Sequence, residues 1–210
     1  PIWSSLETRG VPQLQSEVIK PEAMLAEAKG KSGPEYADVR EIAKLRVEEG
    51  LAHEPVGGTR VTAIPVEAMK RGEFRSYVYD FGRTVVGSPI VSARGCEGGE
   101  IIDLLFTEVY DEATHTPVFV TPGNSFFEMA ARMRCHEGQS AHEFFHLYGF
   151  RYLVVTVRDA SSDLKLDVTL RNFGYPLGNE GAFESSEESW NTLWQACVNT
   201  QRACSLDAYV

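Results

Sequence analysis

Residues 142–159 read His-Glu-Phe-Phe-His-Leu-Tyr-Gly-Phe-Arg-Tyr-Leu-Val-Val-Thr-Val-Arg-Asp, and this stretch fits two incompatible structures. As a helix, it would place His142 and His146 on one face with Glu143 between them. That His-Glu-x-x-His spacing is the zinc-peptidase signature, in which two imidazoles bind the metal and the glutamate acts as general base. Residues 142–152 also follow the longer metzincin spacing until Tyr152, where that class needs a third histidine.

As strands, the same stretch gives a different protein. Residues 141–146 would then pair with a long central strand over residues 148–158, across a bend at Gly149. Three observations favour the strands. The residues before His142 would form a poor apolar stripe on a helix. The later run Tyr-Leu-Val-Val-Thr-Val consists of residues that favour strands. In a helix, Phe144 and Phe145 would both lie away from the face that binds zinc. The strand hypothesis predicts that Phe144 is buried and that both histidines are exposed.

The segments on either side support a mainly β fold. Residues 75–81 alternate, with Tyr77, Tyr79 and Phe81 on one side, and further short strands are predicted at residues 61–64, 89–93, 100–110, 126–135 and 164–173. Short alternating strands with turn residues every 8–12 positions predict an antiparallel β-sandwich.

The first 72 residues predict a partly helical connector. Residues 21–29 consist of strong helix formers, open with Pro21 and precede Gly30. Residues 34–49 repeat this pattern, with an apolar stripe and a glycine after it. The intervening Gly-Lys-Ser-Gly is too short for a phosphate-binding loop and is interpreted as a turn.

The end of the chain predicts one more helix. Ser185 and Glu188 form a capping box, and Trp190, Leu193 and Trp194 begin an apolar stripe with spacings of three and four. This stripe needs a partner, which indicates the first helix of a helical domain.

Composition excludes several classes of function. The chain of 210 residues has 20 Lys and Arg against 30 Asp and Glu, for a formal charge of −10. A nucleic-acid or anionic-membrane surface would need clustered cations, so neither partner is expected. No run of 18 apolar residues is present, and the first residues do not resemble a signal peptide. Compartment and oligomeric state stay open.

Four cysteines, Cys96, Cys135, Cys197 and Cys204, lack paired Cys-x-x-Cys spacing, which argues against a zinc ribbon. On a helix, Cys197 and Cys204 would lie about 10 Å apart, too far for a disulfide. Buried free thiols are predicted, and no metal or cofactor is expected.

Several stretches, in the right order, resemble the bacterial α-L-rhamnosidases of glycoside hydrolase family 78. Residues 145–155 are similar to that family's Phe-x-x-x-Gly-Phe-Arg-Tyr-Val core, and residues 80–87 are similar to its Asp-Phe-Gly-x-x-x-x-Gly element. Three further segments also resemble the family. They are the strand that contains Glu108, residues 181–202 with Trp194, Asn199 and Arg202, and residues 3–14 with Trp3 and Pro12. Residues 21–50 match nothing in it and are interpreted as an insertion.

The resemblance implies a fold, a domain order and an activity. Residues 1–72 would be the connector, residues 73–176 a jelly-roll or concanavalin-like β-sandwich, and residues 177–210 a linker with the first helix of an (α/α)6 toroid cut short at the end of the chain. The implied reaction is inverting hydrolysis of terminal α-L-rhamnosides by two carboxyl groups roughly 6.5–9.5 Å apart. The family carries these groups in its helical domain, so no catalytic, cofactor or metal residue transfers to this chain, and the carbohydrate would be bound by the full-length protein.

Two other functions stay open at this point: a zinc peptidase using His142, Glu143 and His146, and a β-sandwich that binds carbohydrate through exposed aromatic side chains. Arg151 is expected either to stay exposed or to pair with a carboxylate such as Glu108. The predicted core and sheet-packing residues are Phe144, Phe150, Tyr152, Val154, Phe106 and Tyr79.

Overall fold

The computed structural model describes residues 10, 12–31, 54–59, 63–119, 129–178 and 181–206. The strands are β1 Gln15–Ile19, β2 Ala23–Lys31, β3 Glu54–Thr59, β4 Ile64–Val66, β5 Glu73–Cys96, β6 Ile101–Thr107, β7 Val109–Asp111, β8 Thr116–Val118, β9 Ala130–Arg134, β10 Gly138–Glu143, β11 Tyr148–Arg158 and β12 Leu164–Gly174. The helix α1 spans Glu188–Ala203. The described residues divide into two units: those that fall within 18–172, and those that fall within 10–17 and 173–206. The predicted mainly β, antiparallel fold is confirmed.

The long strand β5 organises the sheet. It pairs antiparallel with β2, β10, β11 and β12, and the main path of the ten-stranded sheet runs β1-β12-β5-β11-β6-β9. Its first third, residues 73–80, lies between β2 and β11. Residues 90–94 lie between β10 and β12. One continuous strand therefore belongs to two portions of a curled sheet. The sequence had predicted two separate strands here.

The core fills the inside of this curl. It contains large side chains from β5, β6, β11 and β12, among them Tyr79, Phe106, Phe150, Leu153 and Leu166. A second, smaller cluster on the other face of the sheet joins Ala26, Val78, Leu105, Phe119 and Val154. Because β11 is buried on both faces, its sequence is a continuous apolar run instead of an alternating one. All six predicted packing residues are buried.

The helix predicted over residues 21–29 is wrong: most of this segment is the strand β2. Its backbone pairs with β3 on one side and with residues 73–80 of β5 on the other. Helix propensities differ by less than about 0.7 kcal/mol per ordinary residue, so pairing on both edges and burial of Ala26 and Ala28 outweigh them. A Cβ atom at Gly30 would lie 2.6 Å from the ring of Phe74, so a larger residue here would force that buried ring to move. The helix predicted over residues 34–49 lies outside the described residues.

The strand prediction around Gly149 is confirmed, but the predicted pairing is wrong. β11 has the predicted bounds, and β10 ends at Glu143. The two strands do not pair with each other: each pairs with β5, and residues 144–147 form the connection between them. Gly149 lies within β11, so the bend comes earlier. Phe144 is buried, whereas His142 and His146 are exposed, as the strand hypothesis predicted.

The unit that contains α1 differs from prediction in its details. The helix begins at Glu188, and its N-cap Glu187 makes no side-chain capping bond, so the Ser185–Glu188 capping box is wrong. Instead the Asn191 side chain accepts from the Ser185 N–H at 2.8 Å and donates to the Ser185 carbonyl at 2.9 Å. Trp194 stacks on Phe183 at 5.6 Å.

The predicted burial is wrong for Cys197, which is exposed on α1, and Cys204 at the end of this helix is half-buried. A second helix is absent from the part of the chain that the structure describes, so there the apolar side of α1 has no helical partner. No helix of the described residues is long and apolar enough to cross a bilayer.

Candidate functional site

The signature His142, Glu143 and His146 does not form a helical zinc site. His142 and Glu143 end the strand β10, and His146 lies in the connection that follows. The Glu143 carboxylate accepts hydrogen bonds from Nε and Nη2 of Arg171, at 2.6 and 3.0 Å. A general base needs a carboxylate free to face a metal-bound water, whereas this one is held by a guanidinium group.

Arg171 lowers the pKa of Glu143, mainly through its side-chain hydrogen bond to the carboxylate. A lowered pKa in the folded state contributes stability above the unfolded pKa, and this contribution is lost as pH falls through the folded value. We therefore expect Glu143→Gln to destabilise the chain slightly at pH 7 and not at all near pH 2. Urea unfolding of both proteins at the two pH values tests this. A difference that persists undiminished at low pH would contradict the ion pair.

An irregularity in β5 brings together two stretches far apart in sequence. Residues 81–84 of β5 stand opposite the single residue Arg151 of β11, because Asp80 pairs with Tyr152 and Val85 pairs with Phe150. The left-handed φ of 74° at Gly82 belongs to this bulge. Bulges of this kind redirect side chains locally and are common beside functional sites.

Asp80 and Arg151 close the bulge with a two-point ion pair. Nε and Nη2 of Arg151 donate to the two carboxylate oxygens of Asp80 at 2.9 and 3.0 Å. One of these oxygens also accepts the N–H of Gly82 at 2.7 Å. Arg151 lies over the ring of Tyr152 at 4.9 Å. Of the two alternatives expected for Arg151, exposure or pairing with a carboxylate, the structure shows the pairing, and the carboxylate is Asp80 instead of Glu108.

Replacing Arg151 with lysine is expected to lower the free energy of unfolding by about 1–2 kcal/mol, because lysine cannot form the two parallel hydrogen bonds. The estimate is at the low end for a charged hydrogen bond, since the Arg151 side chain is 39% exposed and its attraction to Asp80 is screened. Urea denaturation measures the change. Arg94→Lys, at an exposed position on β5, the strand that also carries Asp80, is the matched control and should change little. Equal effects of the two substitutions would contradict the role of the pair.

Three stretches that the sequence analysis singled out converge on Phe150. The ring of Phe150 meets that of Phe81 edge-on at 5.4 Å and that of Phe106 at 5.0 Å. Phe106 in turn stacks on Tyr148 at 4.1 Å. The Asp-Phe-Gly element, the Gly-Phe-Arg-Tyr element and the strand β6 therefore form one packed junction of aromatic rings beside the Asp80–Arg151 pair.

A buried charge cluster lies elsewhere on β6. The Asp103 carboxylate, which is fully buried, accepts from Nε of Arg132 at 2.6 Å and contacts Nη2 of Arg158 at 3.1 Å. Burial raises the pKa of Asp103 and lowers that of Arg158, while their mutual attraction opposes both shifts. A neighbouring hydrogen bond joins the hydroxyls of Ser76 and Thr156 at 2.9 Å. Sequence analysis missed this cluster, because an aspartate in an apolar strand was its only signal.

The sulfur atoms of Cys96 and Cys135 lie beside the carboxylate of Glu100. All three side chains are buried. Burial raises the pKa of Cys135 to about 12 and also raises that of Cys96. The prediction of buried free thiols is therefore confirmed for these two cysteines.

These pKa shifts predict a wide spread of thiol reactivity. The attacking species is the thiolate, so a pKa of about 12 in place of about 8.5 lowers the reactive fraction of Cys135 on the order of a thousandfold. In the reduced, chelator-treated chain, a thiol-specific reagent at pH 7.5 should label the exposed Cys197 first and Cys135 only on unfolding. Peptide mapping of the labelled protein gives the rates. Labelling of Cys135 as fast as Cys197 would contradict its burial.

Comparisons with known proteins rest on structure alone. No protein-family model and no curated protein matches the sequence. A solved GH78 family rhamnosidase from Bacillus sp. GL1 matches with a TM-score of 0.63 and 25% identity, over 75% of this chain and 17% of that one. A rhamnosidase from Klebsiella oxytoca, solved with rhamnose bound, matches with a TM-score of 0.60 and 16% identity, over 93% of this chain and 36% of that one. An α-L-rhamnosidase from Dictyoglumus thermophilum matches with a TM-score of 0.51 and 21% identity, over 74% of this chain and 18% of that one.

The chain is similar to a segment of the family-78 α-L-rhamnosidases. This agrees with the resemblance seen in the sequence. The chain spans only about a sixth to a third of the length of these rhamnosidases. The Asp80–Arg151 pair and the contact between Phe81 and Phe150 join the two sequence motifs, residues 80–87 and residues 145–155, on which the resemblance was based.

Proposed function

We propose that this chain is a non-catalytic β-sheet part of a glycoside hydrolase that releases terminal α-L-rhamnose, and that it supports a catalytic domain in the full-length protein. The observation that carries this proposal is the structural match at 25% identity to the Bacillus rhamnosidase. The rhamnose bound to the Klebsiella protein supports a carbohydrate as the substrate class of that fold.

The carboxylates described above support a scaffold role. Inverting hydrolysis needs one carboxyl group that holds a proton near neutral pH and a second, free carboxylate that activates water. Asp80, Asp103 and Glu143 are each held by arginine, and Glu100 is buried and accepts two backbone N–H groups. The lowered pKa of Glu143 is the opposite of what a general acid requires. These side chains therefore hold the sheet together.

The structure does not favour the two alternative functions. Glu143 is engaged by Arg171 on a strand, which is not the geometry of a zinc-peptidase helix. A carbohydrate-binding sheet would present tyrosine or tryptophan rings in a row on one face. On the strands that the structure describes, every tyrosine is buried or half-buried, and Tyr110 and Tyr152 stack on each other at 5.4 Å.

The proposal is tested by comparing two proteins on aryl glycosides: this chain alone, and this chain with the sequence that follows it in its gene. Hydrolysis of an aryl α-L-rhamnoside is expected only from the longer protein. Hydrolysis by the chain alone would contradict the scaffold role. A longer protein that cleaves a different aryl glycoside, and not the rhamnoside, would contradict the substrate class. Calorimetric titration of the chain alone with rhamnose is expected to release no heat.

A further inference from the structure

The cluster of Cys96, Glu100 and Cys135 has the composition and geometry of a metal site. One ligand atom from each side chain, two sulfurs and a carboxylate oxygen, lies within 4.8 Å of the others. The three residues are 4%, 1% and 3% exposed. Cys96 ends β5, Cys135 directly follows β9, and Glu100 directly precedes β6, so the cluster joins the ends of three strands.

The backbone holds these residues in place without a ligand. The N–H of Cys135 donates to the Glu100 carbonyl at 2.8 Å, and the N–H of Gly99 donates to the Cys135 carbonyl at 2.9 Å. The turn between Cys96 and Glu100 includes Gly98 and Gly99, each with a φ of 98° that only glycine adopts readily. The three donor groups are thus fixed by two backbone hydrogen bonds and one tight turn.

The Glu100 carboxylate is oriented by backbone hydrogen bonds, as carboxylates that bind metals usually are. Its two oxygens accept the N–H groups of Glu97 and Gly98, at 2.6 and 3.0 Å. A carboxylate oxygen can accept more than one bond, so each oxygen keeps a lone pair for a cation. Ligating carboxylates in proteins are usually hydrogen-bonded by a surrounding shell in this way. The hydroxyl of Ser140, which is also buried, accepts the N–H of His136, the residue after Cys135, at 2.7 Å.

We propose that Cys96, Glu100 and Cys135 bind a Zn²⁺ ion that links the end of β5 to the start of β6 and the end of β9. Two thiolates and a carboxylate suit zinc, which takes sulfur at about 2.3 Å and oxygen at about 2.0–2.2 Å. Three atoms at mutual distances of up to 4.8 Å need to approach their centre by only roughly half an ångström to reach those lengths. A water molecule completes the tetrahedron.

The charge and proton balance of binding is simple. Two S–H bonds break, two protons pass to solvent, and two Zn–S bonds form, with no change of oxidation state. Two thiolates and a carboxylate carry three negative charges against two on the ion, and the N–H groups of Glu97 and Gly98 face the remaining charge. Because the ligands are buried, the ion stabilises the fold and meets no substrate. This proposal is independent of the proposed glycosidase function.

Cobalt titration of the reduced, chelator-treated chain under argon tests the site. We expect one Co²⁺ per chain with a thiolate-to-cobalt charge-transfer band, displacement of cobalt by Zn²⁺, and a higher melting temperature with zinc. Cys135→Ser should abolish the band. Cys197→Ser, which alters an exposed cysteine on α1, is the matched control and should keep it.

X-ray absorption on the zinc-loaded wild-type chain decides the case even if Cys135→Ser does not fold. Two sulfur atoms at about 2.3 Å and a remainder of oxygen are expected. Several results would overturn the proposal: the absence of stoichiometric binding, a shell without sulfur, or a band lost with Cys197→Ser and kept with Cys135→Ser. The proposal would also be overturned if the mass of the untreated chain were two hydrogen atoms below the mass of the reduced chain and peptide mapping joined Cys96 to Cys135, because the pair would then be a disulfide.

Discussion

Replacing Asp103 with asparagine is expected to lower the free energy of unfolding by about 3–5 kcal/mol, because it leaves buried arginine charge without its counter-ion. Asp103 is fully buried, and the Arg158 side chain that contacts it at 3.1 Å is 5% exposed. Asparagine keeps the size of the side chain, so the change removes charge and not packing. Urea denaturation at pH 7 gives the loss directly.

Two further variants make the Asp103 result specific. Glu143→Gln also removes one carboxylate from an arginine pair, but that pair is exposed, so little change is expected. The double variant Asp103→Leu with Arg158→Met should recover part of the loss, because removing both buried charges avoids their desolvation. Arg132 keeps access to water, since its side chain is 24% exposed. A single variant Asp103→Asn as stable as the wild type would show that the cluster contributes nothing.

Replacing Phe150 with alanine is expected to cost about 3–5 kcal/mol, through lost burial and a cavity where three aromatic rings now meet. Phe150 is fully buried and lies beside both Phe81 and Phe106. Phe145→Ala is a matched control only five residues away: that ring is 92% exposed, so its removal should change stability little. Thermal and urea unfolding of the two variants measure the difference. Similar losses from both would mean that the aromatic junction does not hold the two motifs together.

The sequence pattern within single strands predicted part of the fold correctly. The continuous run of β-formers after Gly149 predicted β11 with its observed bounds, because a strand buried on both faces needs apolar side chains at every position. The alternation of Tyr77 and Tyr79 likewise predicted the inward face of β5. These predictions succeeded because each depends only on the pattern of apolar side chains within one segment.

The features that failed depend on partners distant in sequence. Residues 23–31 have a helical composition, yet they are a strand because β5 and β3 offer hydrogen bonds on both edges. The strand β10 pairs with β5 and not with its neighbour in sequence, β11. The sequence by itself thus determined the mainly β class, the position of β11 in the chain and the inward face of the first part of β5. Only the tertiary structure decided the partner of Arg151 and brought Cys96, Glu100 and Cys135 together, because both depend on how β5 meets segments 39 to 71 residues away along the chain.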